Sequence, residues 1–174
     1  MACFYTLGMR TIVLIAHDIR SCHNVGSLLR TAEGLGVQEV WLTGYTPYPH
    51  TRPDSRLPHI AAKLTAQIKK TALGAEDLVT WHQTDAIFPL LKRLKDDGYV
   101  LAALEQTSSS LSLPDFKAPE KIALLLGREV EGIQPDILKL CDATVEIPMF
   151  GQKESFNVVQ AAAMALFHIR FSSG

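Results

Sequence analysis

Blocks of apolar residues alternate with more polar stretches along the chain, and this pattern predicts strands that alternate with helices. Short apolar runs rich in β-branched residues are typical of buried parallel strands. They predict strands over residues 11–16, 37–43, 78–82, 98–105, 121–126 and 143–147. The intervening stretches predict helices over residues 24–35, 61–70, 85–96, 135–140 and 157–169. The alternation predicts an α/β fold with a mostly parallel sheet flanked by helices.

A proline-rich stretch interrupts this alternation after the second predicted strand. Residues 44–60 contain Pro47, Pro49, Pro53 and Pro58, and proline is excluded from the interiors of helices and sheets. The stretch is therefore predicted to be a long loop, and long loops in compact domains are often functional. No other segment divides the chain, so its 174 residues are predicted to form a single domain.

Composition excludes several classes of protein. No apolar run approaches the ~20 residues that cross a bilayer, and residues 1–10 lack the basic start and apolar core of a secretory signal. We therefore expect a cytoplasmic protein in which Met9 offers an alternative start and residues 1–10 form a dispensable extension. The scattered cysteines, Cys3, Cys22 and Cys141, predict reduced thiols and no metal site.

Charge is divided unevenly between the two halves of the chain. Residues 1–70 carry 8 Lys and Arg against 4 Asp and Glu, whereas residues 71–174 carry 9 against 14. A basic half can present a face that binds phosphate groups. Charge alone leaves a second interpretation open, in which the asymmetry is a chance property of a solvated surface.

Three polar clusters lie where predicted strands end or helices begin. In the first, Asn24, Gly26 and Arg30 lie in the first turns of a predicted helix. Such a group could hold an anion at the positive end of the helix dipole. Alternatively, Asn24 is a helix cap, Gly26 a packing residue and Arg30 an exposed side chain.

The second cluster runs from Gly127 to Gly132 and follows the clearest predicted strand. Ligands bind beyond the carboxyl ends of strands in open α/β sheets, and an ordinary turn with solvated charges is the alternative. The two glycines have the spacing of a phosphate-binding loop, but Ile133 occupies the position of the required lysine. No GxGxxG follows the first strand either, so the sequence favours neither a P-loop nucleotide triphosphatase nor the ordinary dinucleotide-binding fold.

The third cluster spans residues 147–157. Ile147 supplies an apolar wall, Gly151 a flexible backbone, and Ser155 and Asn157 hydrogen-bonding side chains. This mixture suits a flat heterocycle with a polar edge. Asn157 is also expected to cap the last helix.

Taken in order, the clusters resemble the three motifs of the SpoU (TrmH-type) RNA ribose 2′-O-methyltransferases of the SPOUT superfamily. The segments read Asn24-Val-Gly-x-x-x-Arg30-Thr-Ala, Leu-Gly127-x-Glu129-x-x-Gly132 and Ile147-Pro-Met-x-Gly-x-x-x-Ser155-x-Asn157-Val. The resemblance extends over residues 12–168. Two positions depart from the motifs, because Phe156 replaces the usual leucine and Arg128 replaces a small or amide residue.

The resemblance implies a deep C-terminal trefoil knot (the SPOUT fold), a homodimer and S-adenosylmethionine as the cofactor. The residues expected by position to bind the cofactor are Leu104, Gly127, Ile147, Met149 and Phe156. The residues implied in catalysis are Arg30, Asn24, Glu129, Ser155 and Asn157.

The roles that the resemblance implies can be compared with side-chain chemistry. The residue matching Arg30 is assigned in the family to activation of the ribose hydroxyl. A guanidinium has a pKa above ~12 and is a poor base, so phosphate binding and stabilisation of a developing alkoxide suit Arg30 better. Asn24 is expected to position Arg30 or the ribose, and Glu129 to orient the arginine through a charge-assisted bond. Ser155 and Asn157 would complete the substrate side.

The implied activity is transfer of a methyl group to a ribose 2′-hydroxyl of RNA. Transfer RNA is favoured as the substrate, because the chain lacks the separate N-terminal RNA-binding domain that many ribosomal-RNA members carry. The alternatives are methylation of ribosomal RNA and a non-catalytic RNA-binding protein with the same fold. The basic residues expected to contact RNA are Arg10, Arg20, Arg52, Arg56, Lys63, Lys69 and Lys70.

Overall fold

A parallel sheet of seven strands runs through residues 10–172, the part of the chain that the computed structural model describes. The strands are β1 (Thr11–His17), β2 (Glu39–Thr43), β3 (Trp81–Thr84), β4 (Val100–Leu104), β5 (Leu111–Ser112), β6 (Lys121–Leu126) and β7 (Ala143–Glu146). Their order is β3-β2-β1-β6-β4-β7-β5, and every neighbouring pair is parallel. Cys3 and all but the last residue of the predicted N-terminal extension lie outside the described residues.

Helices cover both faces of this sheet. Those within residues 10–172 are α1 (Cys22–Gly34), α2 (Pro58–Ala72), α3 (Ile87–Asp96), α4 (Pro135–Leu138) and α5 (Val158–Phe171). Short 3-10 turns at Ala75–Asp77 and Leu113–Asp115 complete the regular structure of this part of the chain. None of these helices has both the length and the apolar character that crossing a bilayer would require.

Strand β1 contributes to two layers of the core. Ile12 and Leu14 pack with α1, α2 and α5, whereas Val13 and Ile15 pack with α3 and α4. Successive side chains of a strand point to opposite faces, and here both faces are covered by helices. This explains why the strand is apolar throughout rather than alternating.

The predicted α/β fold with a mostly parallel sheet is confirmed, and β6 has the predicted bounds. The strand predicted over residues 78–82 begins only at Trp81, because the preceding 3-10 turn leaves Leu78 on the surface with 73% exposure. Helix α2 begins at Pro58, three residues earlier than predicted, since proline is favoured at the first position of a helix. The proline-rich loop therefore covers residues 44–57.

The first turn of α1 corrects one expectation about Asn24. Ser21 is the N-cap, and its Oγ accepts a hydrogen bond from the backbone N–H of Asn24 at 3.2 Å. The interpretation of Asn24 as the cap is wrong, because the helix begins earlier and a serine precedes it at the capping position. Asn157 does cap α5 as predicted, with its Oδ1 accepting from the N–H of Val159 at 2.8 Å.

Two arginines close the amino-terminal edge of the sheet. Arg170 of α5 donates to the backbone carbonyls of Leu35, Gly36 and Arg10 at 3.0, 2.7 and 2.7 Å. Arg10 in turn donates to the carbonyl of Ile169 at 3.0 Å. Both guanidinium groups are therefore engaged in holding α5 against the start of β1.

Helices α1 and α2 meet at Gly26. A Cβ atom at this position would collide with the carbonyl oxygen of Ile68 and the Oγ1 of Thr71, and would lie 3.0 Å from the backbone nitrogen of Ala72. Backbone atoms of a packed helix cannot move aside as a flexible side chain would. The two helices can therefore approach this closely only because residue 26 has no side chain.

We expect Gly26→Ala to lower the free energy of unfolding by about 3 kcal/mol, because the added methyl group forces α1 and α2 apart. Denaturant unfolding measures the change. Gly34→Ala is the matched control in the same helix, since its Cβ would meet nothing within 4 Å. That substitution should raise the free energy of unfolding by about 0.4–1 kcal/mol by restricting the unfolded chain. Equal effects of the two substitutions would contradict the described contact.

Candidate active site

A cavity of about 490 Å³ lies at the carboxyl ends of three adjacent strands. These strands are β6, β4 and β7, and in the sheet β4 lies between the other two, although it precedes both along the chain. Ligands bind at this edge in open α/β sheets. The cavity is lined by residues 104–106, 126–132, 146–147 and 154–158, together with Ala161 of α5. The second and third polar clusters of the sequence therefore surround one space.

Two glycines shape the loop after β6. Reciprocal backbone hydrogen bonds between Arg128 and Gly132, at 3.2 and 3.1 Å, close the loop into a tight turn. A Cβ on Gly127 would lie 2.5 Å from Cγ1 of Ile133 and 2.8 Å from the carbonyl carbon of Gly132. Gly132 itself has a φ of +70°, and a Cβ there would collide with the carboxylate of Glu105. Both positions therefore require glycine.

Three polar side chains form a hydrogen-bonded chain beside the cavity. Nδ2 of Asn24 donates to Oε1 of Glu129 at 3.2 Å, and Nδ2 of Asn157 donates to Oδ1 of Asn24 at 3.4 Å. The backbone N–H of Arg20 donates to the other carboxylate oxygen of Glu129 at 3.4 Å. One residue from each of the three polar clusters thus takes part in a single arrangement.

Arg128, which precedes Glu129, binds a buried carboxylate. Its Nε and Nη2 donate to Oδ2 of Asp18 at 3.0 and 2.8 Å, and this interaction raises the pKa of Arg128. Asp18 is only 4% exposed, and its Oδ1 accepts from the backbone N–H of Tyr45 at 3.1 Å. The arginine therefore neutralises a charge that would be costly if left unpaired. It also ties the loop that carries Glu129 to the end of β1.

Comparison with known proteins decides the family. The model of the SpoU rRNA Methylase family matches residues 11–167. The chain belongs to this family. It is 31% identical over 159 residues to the 23S rRNA (guanosine-2′-O-)-methyltransferase RlmB of Neisseria meningitidis, and the match covers 91% of this chain and 58% of the relative. It is 25% identical over 165 residues to a tRNA (guanosine(18)-2′-O)-methyltransferase of Borreliella burgdorferi, covering 94% and 68% of the two chains.

Solved structures share the SpoU fold with this chain. An AdoMet-bound rRNA methyltransferase from Sinorhizobium meliloti superposes with a TM-score of 0.77 at 18% identity, over 93% of this chain and 56% of that one. The TrmH/SpoU tRNA modifying enzyme of A. aeolicus superposes with a TM-score of 0.75 at 19% identity, over 94% and 77% of the two chains. The chain spans 57–58% of the length of the rRNA methyltransferases that it matches in sequence.

The residues that the SpoU resemblance implies in cofactor binding supply much of the cavity wall. Leu104, Gly127, Ile147 and Phe156, which were expected to bind the cofactor, all line the cavity. Met149 is partly buried but is not one of the lining residues. Four of the five expected positions therefore lie around the same space.

The SpoU residues implied in catalysis divide into two groups. Glu129, Ser155 and Asn157 line the cavity, and Asn24 is hydrogen-bonded to two of them. Arg30 is exposed and lies outside the cavity lining, and its side chain has no hydrogen bond or ion pair within the described chain.

The expected bond between Glu129 and Arg30 is not formed within residues 10–172. Glu129 instead accepts from Asn24 and from the backbone of Arg20. Arg30 lies six residues beyond Asn24 on α1, which places it about 240° around the helix axis and about 9 Å along it. The two side chains therefore leave the helix in different directions, and this separation accounts for the difference.

Two further carboxylates line the cavity outside the three SpoU motifs. Oε2 of Glu105 accepts from the N–H of Ile133 at 2.8 Å, which holds the loop after β6 against the end of β4. Oε2 of Glu146, the last residue of β7, accepts from Oγ of Ser110 at 2.8 Å. Both residues lie at the carboxyl end of an apolar strand. That position is the signal by which the sequence could have indicated them.

Proposed function

We propose that this chain is the catalytic domain of a cytoplasmic RNA ribose 2′-O-methyltransferase that uses S-adenosylmethionine. The observation that carries the proposal is the hydrogen-bonded chain of Asn24, Glu129 and Asn157 beside the cavity, because it joins one residue from each SpoU motif. We propose transfer RNA as the substrate, since a tRNA (guanosine(18)-2′-O)-methyltransferase is similar to this chain over 94% of its length. Ribosomal RNA is the second candidate, favoured by the higher identity of 31% to a 23S rRNA methyltransferase.

The residues around the cavity suit S-adenosylmethionine. The volume of about 490 Å³ falls within the ~300–1,000 Å³ that small-molecule sites occupy. Leu104, Ile147 and Phe156 offer apolar walls for an adenine ring, and Glu105 and Glu146 offer carboxylates to a positively charged ligand. When bound, S-adenosylmethionine supplies a methyl group attached to a positively charged sulfur.

In this proposal the chain's own residues orient the ribose and stabilise its charge. The amides of Asn24 and Asn157 and the hydroxyl of Ser155 hold the sugar so that its 2′-oxygen approaches in line with the bond that breaks. Negative charge develops on that oxygen as its proton passes to solvent water. The guanidinium of an Arg30 supplied by the partner protomer stabilises this charge and binds the adjacent phosphate. Glu129 fixes the amide of Asn24 in the orientation that the ribose requires.

We propose a homodimer in which Arg30 serves the cavity of the partner protomer. Arg30 is exposed and lies outside the cavity of its own chain. Helix α1 packs beside α5, and Phe167 of α5 is 59% exposed. Exposed aromatic surface of this kind is typical of subunit interfaces. A second copy that covers this face would bring Arg30 of one protomer to the cavity of its partner.

The contacts of the basic residues divide the predicted RNA-binding set into two groups. Arg10 and Arg56 bind backbone carbonyls, Arg20 binds Glu131, and Lys69 pairs with Glu76. The exposed members of this set whose side chains form no hydrogen bond or ion pair within the described chain are Arg52, Lys63 and Lys70. We propose that these three contact RNA phosphates, because their charge is not already compensated.

We propose that residues 11–172 form one domain whose C-terminal segment is knotted. Strand β6 is inserted between β1 and β4, and β7 between β4 and β5, before the chain enters α5. The last segments therefore run between elements that are already connected to one another. Such insertion supports a trefoil knot, which few chains form.

Calorimetric titration and mass-spectrometric mapping of RNA test the proposed function together. We expect the chain to bind S-adenosylmethionine and to methylate ribose in RNA from cells that lack this protein, with transfer RNA methylated in preference to ribosomal RNA. Binding of RNA without binding of S-adenosylmethionine would instead support the non-catalytic alternative. Methyl groups found on bases would contradict the proposed reaction.

A further inference from the structure

A second cleft lies at the opposite edge of the sheet from the cavity. Both tryptophans of the chain line it, Trp41 of β2 and Trp81 of β3, together with His82, Gln83 and residues 48, 50–53 and 55 of the proline-rich loop. Strand β3 forms one edge of the sheet, and β2 and β1 separate it from β6. With about 4.8 Å between strands, the cleft lies roughly 15 Å from the cavity across the sheet.

The aromatic rings of this cleft are held in place by internal contacts. Trp41 stacks on His82 with 4.4 Å between ring centroids, and its Nε1 donates to Oε2 of Glu39 at 3.0 Å. Nε1 of Trp81 donates to the carbonyl of Glu76, also at 3.0 Å. Both indoles remain only partly buried. The guanidinium of Arg93 also lies 4.6 Å from the ring centroid of Trp41, so Trp41 is already in contact with both Arg93 and His82. Trp81 is therefore the fixed indole of the cleft that remains for a ligand.

The proline-rich loop that forms the other wall is equally well fixed. The guanidinium of Arg56 lies 3.6 Å from the ring centroid of Tyr48 and donates to the carbonyls of Tyr48 and Pro49 at 2.9 and 3.1 Å. Its Nε and Nη2 also donate to the carboxylate of Asp54 at 2.9 and 2.6 Å, which holds the pKa of Asp54 well below its usual range. Asp54 accepts the N–H of Thr51 as well. A loop held in one conformation loses little entropy when a ligand binds.

One exposed charge remains on the rim of the cleft. Arg52 forms no hydrogen bond or ion pair with any other described residue, whereas Arg56 is compensated by Asp54. Glu39 accepts from Trp41 and lies 4.0 Å from Nε2 of His82, so its charge faces these rings. Fixed aromatic rings beside an uncompensated cation are the arrangement by which proteins hold single-stranded nucleic acid, through base stacking and a phosphate contact.

We propose that this cleft binds a single-stranded segment of the RNA substrate, with a base stacked on the indole of Trp81 and a phosphate on Arg52. The inference rests on the proposed function, because it takes RNA to be the substrate. The bound base would belong to a nucleotide that flanks the methylated one, since the cleft and the cavity are separated by two strands. The cleft therefore contributes to binding and positioning of RNA and not to the methyl transfer itself.

Tryptophan fluorescence tests this inference directly, because every tryptophan of the chain lies in the cleft. We expect a short single-stranded oligoribonucleotide of mixed sequence to quench the emission in a saturable manner. Fluorescence anisotropy of the same oligonucleotide, labelled at one end, measures binding independently. Binding observed by anisotropy without any change in tryptophan emission would overturn the proposed cleft.

Kinetic measurements on variants separate this inference from the proposed function. Arg52→Glu on the rim and Trp81→Ala in the wall should each raise the KM for RNA by roughly five- to a hundredfold, with kcat and affinity for S-adenosylmethionine unchanged. Trp81→Phe keeps a stacking ring and should restore most of the binding. Lys117→Ala is the matched control, since Lys117 is an exposed cation that precedes β6 at the other end of the strands.

The outcomes distinguish the two proposals. If the unsubstituted chain methylates RNA and both Arg52→Glu and Trp81→Ala leave the KM unchanged, the cleft assignment is overturned and the activity stands. If the unsubstituted chain methylates no RNA, the proposed function is overturned, and the fluorescence titration still decides whether the cleft binds RNA. Arg52→Glu alters only an exposed side chain, so it is informative even if Trp81→Ala fails to fold.

Discussion

Replacement of Arg30 by alanine should reduce methyl transfer by roughly 100–1,000-fold while S-adenosylmethionine still binds. The expected size is that of removing one donor from a site where negative charge develops. Binding of the cofactor should persist, because Arg30 lies outside the residues that line the cavity. Single-turnover methylation of RNA and calorimetric titration measure the two quantities separately.

Two further substitutions in α1 make the Arg30 experiment specific. Arg30→Lys keeps the charge but lacks the forked guanidinium, so its rate should lie between those of the unsubstituted chain and Arg30→Ala. Glu33→Ala changes another exposed side chain of the same helix and should leave the rate unchanged. Loss of cofactor affinity in Arg30→Ala would show that the residue supports the structure of the cavity instead of the reaction.

Mixed dimers test whether Arg30 acts across the proposed interface. Arg30→Ala chains retain an intact cavity, and Gly127→Val chains retain the arginine. If each arginine serves the partner's cavity, mixing the two inactive proteins creates one complete site per mixed dimer and activity returns. If activity does not return although mixed dimers form, Arg30 acts within its own chain.

Replacement of Gly127 by valine should weaken binding of S-adenosylmethionine by at least about 100-fold, or about 2.8 kcal/mol. The first added carbon would already lie 2.5 Å from Cγ1 of Ile133 and 2.8 Å from the carbonyl carbon of Gly132, so the loop after β6 must move. That loop forms one wall of the cavity. Calorimetric titration measures the loss.

Gly151→Val is the matched control for the Gly127 substitution. Gly151 lies in the neighbouring loop, and a Cβ there would meet nothing within 4 Å, so affinity should be retained. Thermal unfolding of both variants checks that the sheet is preserved. Normal affinity of the Gly127→Val protein would contradict the assignment of this cavity to the cofactor.

Burial on both faces decides which strands could be predicted. In β1 and β6 all residues but the first are buried, so both read as continuous apolar runs. In β3, at the sheet edge, every residue from Trp81 to Thr84 is partly exposed, and the sequence shows neither a continuous run nor an alternation. The position of β3 depends on its pairing with β2, and local sequence does not contain that information.

The candidate site shows the same division between local and distant information. Glu129 and Asn157 could be predicted because each lies where an apolar element ends or begins. The hydrogen-bond partners of the Asn24 side chain could not be predicted. Ser21 and Asn24 are both good capping residues, and only the fold shows that Ser21 caps the helix. The pairing of Asp18 with Arg128 spans 110 residues, and neither residue type nor spacing identifies such a contact.

The order of the strands has a consequence for how the chain acquires its structure. Strands β1, β2 and β3 with α1 and α2 are contiguous along the chain and can associate early. The other edge of β1 pairs with β6, so that Ile12 meets Ile122. Contacts so distant in sequence slow folding. Until residues 121–126 arrive, β1 presents an unpaired apolar edge, and a newly synthesised chain is most prone to aggregate during that interval.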